Sequence, residues 1–576
     1  MGTKTKKNHK IKITFKHLTE EPNPTLPLVM LIANKILSII GFVDFIDRMV
    51  EWDSRHWKVS PGNLAKAVIL VTFLKARTPL FRIEEAFTGI DTEALFGKGV
   101  TPKHLNDDAI ARALDRISEA KPEGLFTTLC LSLYSKFNIA FNRLHSDTTT
   151  VSFYGAYEQS DQEDEEGLRI LRGYNKDRRP ECKQVVVGKI VNEHGIAISA
   201  SNMNGNTSDT EWNEKAIKLV KETFGERLDS ITYIADSKLI NLPLFKQLME
   251  PGKRVRFISR CPSNFYNKIA GKVIKQAYQD DKWIGVGRIG SGKKACTYEL
   301  QEYHRTIEGN NVRLIVVRSS AGKERYDHKL HKQQIELEKG ICELSKKTFM
   351  CEADAQKEWE RFEKSHKKNL YKAAVQFNEI RTEKRPVGNP GKNPKPPQVK
   401  VMWQVCAQII GIDEAKAEEL RNEEECFVLI TSVEQSELIS EQVLRQYKDQ
   451  SIVEIQFKLL KEPAIASAIF LKTPGRIDAL IMLLNVSLLI RALIQYKVRK
   501  SISESKEEVP KIGWNNSRTE KPTLNLILES LQHTNFERVA KNNYRYGFYS
   551  DKERERVMTI LLLLDITIDG LLDPGD

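Results

Sequence analysis

The sequence predicts an α/β protein: a mixed sheet flanked by helices, with an N-terminal helical domain before it and a large insertion within it. Three observations carry that prediction. The hydrophobic period turns from helical to alternating near residue 136, and strand-like runs then alternate with helix-like ones. Two of the strand-like runs end on an aspartate, and a third acidic signature far down the chain sets a glutamate in a helical pattern.

Residues 1–135 read as helical. Leu64–Ala76 is an apolar helix after Ser60-Pro61, and Asp107–Ser118 carries Ala109, Ile110, Ala113, Leu114 and Ile117 at spacings of 3 and 4. Short helices of this kind pack against one another or form a DNA-reading helix-turn-helix, so residues 1–135 are a DNA-binding candidate. Phe141–Phe153, Gln184–Val191 and Ile196–Met203 read as three successive strands. Glu211–Phe224 follows as a helix, Ile231–Ala235 as a short buried strand, Leu239–Met249 as a helix and Arg254–Ser259 as a strand. Residues 136–262 are thus the first part of a sheet-bearing core, and 425–498 the second. The insertion, 263–424, reads as β-rich over 263–320, helical over 322–381, and a basic Pro/Gly loop from Arg381 to Lys400. Residues 499–576 open on a Lys/Glu-rich break and end in an apolar helix, Val557–Leu572.

Lysine and arginine number 89 against 77 aspartates and glutamates, a formal charge of +12 with a pI near 9.0. That excess suits a polyanion, because neutralised phosphates release counterions, although many soluble proteins are mildly basic. The eight cysteines, at 130, 182, 261, 296, 342, 351, 406 and 426, form no C-x-x-C pair and no zinc-like spacing with histidine. Reduced, mostly buried thiols in a cytoplasmic protein are expected. Met1–Lys16 is basic without an apolar core, so a secretory signal is not expected. The apolar stretches Leu26–Val43, Ile477–Ile494 and Val557–Leu572 are each interrupted by charge or proline and read as core helices, so no membrane partner is expected. Gly285, Gly287, Gly290 and Gly292 lack the strand-to-helix junction and G-K-[ST] of a phosphate loop. The acidic run Asp161, Glu163, Asp164, Glu165 and Glu166 reads as a solvated loop, and His145 as a structural histidine.

The acidic signatures are Leu144-His145-Ser146-Asp147-Thr148-Thr149-Thr150, Tyr233-Ile234-Ala235-Asp236-Ser237-Lys238-Leu239, and Tyr447 to Glu454 with Lys461 beyond. Two strand-end aspartates and a helical glutamate are what a two-metal phosphoryl-transfer site requires, since hard cations need carboxylate oxygens on rigid elements. Singly, each aspartate reads as a strand-end turn or cap residue. On one continuous helix, Tyr447, Gln450 and Lys461 would lie within about 20–40° of Glu454. Such a face suits a metal ligand flanked by groups that grip a phosphate backbone; an amphipathic surface helix is the alternative.

These signatures resemble a DDE-type insertion-sequence transposase with an RNase H-like catalytic core, of the group carrying the Y-(2)-R-(3)-E-(6)-K signature. The match falls on Tyr447, Gln450, Glu454 and Lys461, with Gln450 where the group has arginine. It extends to Gly205-Asn206-Thr207-Ser208-Asp209 and Phe427-Val428-Leu429-Ile430-Thr431. The resemblance implies that Asp147, Asp236 and Glu454 are the catalytic, metal-binding acids, with Mg²⁺ or Mn²⁺ as cofactor. It implies DNA contact by Tyr447, Gln450 and Lys461, the lost arginine charge weakening that role at 450. It further implies double-stranded DNA as partner (transposon ends and target), a homodimer in the end complex with residues 499–576 as the dimerisation candidate, and a place in the cytoplasm at the nucleoid. The expected function is cleavage of insertion-sequence ends and their joining to target DNA. The alternatives are an inactive, DNA-binding transposase relative and an RNase H-like nuclease that cuts without joining.

Overall fold

The computed structural model describes residues 23–75, 78–155, 157–158, 167–290, 295–384, 398–457, 460–461, 471, 473–505, 508–540 and 543–572. Met1–Lys16, the acidic run at 161–166, Gly292 and most of the basic loop lie outside these residues. The chain is mixed α/β and forms two compact units, residues 1–212 with 451–576, and residues 213–450.

The first unit begins with strand β1 (Thr25–Pro27) and helices α1 (Leu28–Ile39), α2 (Phe42–Met49), α3 (Pro61–Val71), α4 (Ile83–Ala86), α5 (Thr92–Phe96), α6 (Asp107–Glu119) and α7 (Pro122–Lys136). Caps set several of these starts. Ser60 accepts from Asn63 N–H with Pro61 at the first helical position, and Asn106 accepts from Ala109 N–H, each filling an otherwise open donor. The predicted apolar stripe of α6 is buried as expected, Ala109, Ile110, Ala113, Leu114 and Ile117 facing inward.

Three antiparallel strands follow, β2 (Arg143–Phe153), β3 (Lys183–Asn192) and β4 (Ala197–Met203), in the order β4–β3–β2. Helix α7 packs on β4. The opposite course of β3 brings Gly188 against the buried indole of Trp212, where an added Cβ would sit inside the ring's contact distance. Trp212 Nε1–H in turn donates to Ser146 Oγ at 2.9 Å. Glycine is required at 188 by this approach.

The second unit holds most of α8 (Asp209–Phe224), then β5 (Thr232–Ala235), α9 (Leu242–Leu248), β6 (Arg256–Arg260), α10 (Ile269–Asp280), β7 (Ile284–Ile289), β8 (Cys296–Ile307) and β9 (Asn310–Ser319). Next come α11 (Ser320–Ser345), β10 (Thr348–Phe349), α12 (Glu352–Ser365), β11 (Tyr371–Lys384), β12 (Gln398–Ile412), α13 (Glu414–Glu425), β13 (Cys426–Thr431) and α14 (Ser440–Lys448). Its strands run β5–β6–β13–β9–β8–β7, with β5 and β6 parallel and the other pairs antiparallel, a mixed sheet. Ile234, Ile258, Leu300, Ile315, Val317, Leu429, Val443 and Leu444 form its core.

Residues 263–320 hold β7, β8 and β9, and also the helix α10, whose Ile269, Ala270, Val273, Ile274 and Ala277 recur at helical spacing and are buried. Two expectations are corrected here. The helical reading of 322–381 fails from Tyr371 onward, because β11 pairs along its length with β12. Long-range ladder bonds outweigh the local charge pattern there. The helix expected through Tyr447 and Glu454 is interrupted: α14 ends at Lys448, and a new helix, α15 (Ser451–Phe457), starts in the first unit. The last turn of α14 closes on itself, Asp449 N–H bonding Arg445 O at 3.0 Å and Gln450 N–H bonding Tyr447 O at 3.2 Å in a tight turn. Tyr447 and Gln450 therefore do not share a continuous helix face with Glu454 and Lys461.

The chain returns to the first unit through α15, α16 (Pro474–Glu504), α17 (Leu524–Leu531), β14 (Asn535–Ala540), β15 (Asn543–Tyr546) and α18 (Asp551–Leu563). Strand β14 pairs with β1 and β15. Helix α16 is long and apolar enough to cross a membrane, yet its apolar window is almost wholly buried in the unit, against α3, α6, α7 and β4. The predicted terminal helix is broken at Asp565, which adopts φ of 58°.

Candidate functional site

Asp147 lies on β2, whose residues 144–151 are buried on both faces except at Asp147 itself, where 23% of the side chain is exposed. The carboxylate Oδ1 accepts from Thr148 N–H at 2.7 Å. Lys176 Nζ stands 3.7 Å from the same oxygen and 3.2 Å from Asp209 Oδ1. The lysine also donates to Thr148 O at 2.9 Å and Thr148 Oγ1 at 2.6 Å, while Thr148 Oγ1 hydrogen-bonds Asp209. An ammonium is thus held between two carboxylates by a threonine.

Across the strand pair, Asp147 is in register with Lys189, so both side chains share one sheet face. Lys189 is fully buried, and burial pulls its pKa from 10.5 down to about 7 against the opposing pull of Cys130. Its ammonium lies 5.8 Å from the Phe457 ring of α15. Helix α15 packs on β2 and β3, so the helix that carries Glu454 covers this strand pair at the level of Asp147. Glu454 is exposed on that helix. His145, buried two residues before Asp147, has an Nδ1 without a hydrogen-bond partner among the described residues, and burial lowers its pKa to about 4. It is held neutral.

Asp236 belongs to the second unit, just past β5. Its side chain accepts from Lys238 N–H at 3.0 Å and caps the turn Ser237–Leu239, while its carbonyl accepts from Ser259 Oγ at 2.7 Å. Tyr447 packs, partly buried, against the apolar core of that unit. Gln450 is a partly buried turn residue. Lys461, in the first unit, donates to Asp177 Oδ1 at 2.6 Å, so its charge already has a carboxylate partner.

The structure therefore brings Asp147 and the Glu454 helix together in one unit and places Asp236 in the other. The donors are hard carboxylate oxygens, which suit Mg²⁺ or Mn²⁺. Among the described residues, no three histidine, cysteine, aspartate or glutamate side chains are grouped to hold a metal ion. Sequence reasoning missed Lys176 and Lys189. Lys189 did leave a signal, a single charge inside Val185-Val186-Val187-Gly188-Lys189-Ile190-Val191; Lys176 sits in an irregular loop and left none.

Residues 25–131 match the family described as a domain of unknown function (DUF4277). No curated protein matched the chain. Among solved structures, the chain is similar to piggyBac transposase in a synaptic complex with hairpin DNA, at 10% identity and a TM-score of 0.39, over 94% of this chain and 88% of that one.

Proposed function

We propose that the chain is a DNA strand-transfer enzyme of the DDE transposase class, with an RNase H-like core and with Asp147, Asp236 and Glu454 as its catalytic acids. The observation that carries this reading is the partly open carboxylate of Asp147 on an otherwise buried strand, covered by the helix that bears Glu454. The net charge of +12 supports double-stranded DNA as the substrate. When bound, Mg²⁺ or Mn²⁺ supplies Lewis acidity at the phosphodiester. The chain's own part is to hold the carboxylates on rigid elements and to keep Lys176 as a counter-charge beside Asp147.

That same lysine favours a second reading, a DNA-binding relative without chemistry, in which the ammonium permanently fills the cation position between Asp147 and Asp209. One experiment separates them. The purified full chain is incubated with a DNA fragment carrying the sequences that flank its gene, with Mg²⁺ or with EDTA. Strand cleavage that needs the divalent cation and is lost in Glu454→Gln supports the enzyme. Binding without cleavage supports the second reading, and cleavage that survives EDTA overturns the metal assignment.

A further inference from the structure

A second site stands in the first unit, apart from the acids. A cavity of about 590 Å³ is lined by Trp57, by residues of α6 from Arg112 to Glu119, and by the start of α16. Its volume is in the range of small-molecule sites, about 300–1,000 Å³. Two of its arginines have carboxylate partners: Arg476 grips Asp115 through two bonds of 2.6 and 2.7 Å, and Arg116 meets Glu119 at 2.9 Å. Arg112 is exposed, has no carboxylate partner among the described residues, and lies 5.9 Å from the half-buried Trp57 ring. The cavity thus holds one surplus guanidinium beside an aromatic face.

The N-terminus of α16 adds a second source of positive potential. Thr473 makes no side-chain cap, and the first helical bond is Ile477 N–H to Thr473 O at 3.3 Å. Gly475 and Arg476, whose N–H groups precede that bond, both line the cavity. A helix start of this kind favours phosphate.

We infer that this cavity binds a nucleotide unit, its phosphate between Arg112 and the start of α16 and its base against Trp57. A simple anion would leave the aromatic face unused, and an apolar ligand would leave the guanidinium and the open N–H groups unused; a nucleotide engages all three. The unit belongs either to a nucleic-acid strand or to a free nucleotide. The inference does not rest on the strand-transfer reading, and metal-free buffer keeps the two apart.

The test titrates the full chain in metal-free buffer with deoxyadenosine monophosphate, deoxyadenosine and inorganic phosphate by calorimetry. A short fluorescein-labelled single strand is followed by anisotropy. The nucleotide should bind at least about tenfold more tightly than either deoxyadenosine or phosphate, and Arg112→Ala and Trp57→Ala should each weaken it about tenfold. Trp57→Phe, which keeps a ring, should retain most of the affinity and guards against a folding artefact. Displacement of the labelled strand by the nucleotide assigns the site to a strand; nucleotide binding without displacement assigns it to a free nucleotide. Phosphate binding as tightly as the nucleotide, wild-type binding in both alanine variants, or no binding of nucleotide or strand would each overturn the inference.

Discussion

Asp147 and Asp236 carry the same functional group in opposite settings. Asp147 is held by tertiary structure: an eleven-residue strand buried along most of its length, an in-register lysine, and an ammonium delivered by a distant loop. Asp236 follows a strand of 4 residues and caps the turn immediately after it. One carboxylate is placed by long-range packing and the other by local turn chemistry. Substitutions near Asp147 should therefore disturb the fold as well as any activity, whereas those at Asp236 should leave the fold nearly intact.

The largest expected effect probes whether the two acids act in one reaction. Asp147→Asn and Asp236→Asn should each lower metal-dependent cleavage of a DNA end by on the order of a thousandfold, the scale of losing one group that stabilises a transition state. A loss at one position alone would break the pairing of the two acids in function. The second effect concerns the packing behind Asp147. Gly188→Val would drive two methyl groups into the Trp212 indole, and should lower the unfolding free energy by about 1–3 kcal/mol in denaturant melts. An unchanged midpoint would mean that β3 yields there easily.

A pH contribution that belongs to neither acid must be subtracted before their neighbourhoods are compared. Buried Lys66 donates to Leu95 O at 2.5 Å, and burial lowers its pKa from 10.5 to about 8. The unfolded chain then binds more protons than the folded one between those values, so stability rises with pH from about 8 to 10.5. Lys66→Met should remove the Lys66 share of that rise, about 3 kcal/mol in melts across the window, and leave the share of buried Lys189, whose pKa is lowered to about 7. The smallest effect is at Asp236→Ala, which removes a turn cap and should cost about 1 kcal/mol or less. A larger cost would mean that Asp236, like Asp147, is tied into distant packing.

Much of the core was legible. The strands β2, β3 and β4 fall within a few residues of their expected bounds, because alternating apolar residues and the Asn192–Gly195 turn leave few alternatives. The apolar stripe from Ala109 to Ile117 likewise marked α6. The break between α14 and α15 was not legible, because helical spacing from Tyr447 to Lys461 is arithmetic on a sequence and says nothing of whether Asp449 and Gln450 let a helix pass. Residues 371–381 misled for a related reason: β11 packs only part of itself, Val375 and Phe377, against the helices, and its mostly exposed charged residues look like those of a solvated helix. Lys176 and the Trp57 cavity are assembled from separate segments, and no local period announces such a meeting.

The contact between Trp212 and strands β2 and β3 gives the protein an internal optical probe. The indole is dark to solvent, rests on Gly188, and bonds Ser146, the residue before Asp147. Its emission should therefore be blue-shifted relative to that of exposed Trp514. A ligand that shifted β2 would change the polarity and hydrogen bond felt by this ring, and a variant keeping Trp212 as its single tryptophan would report that shift as a change of emission colour.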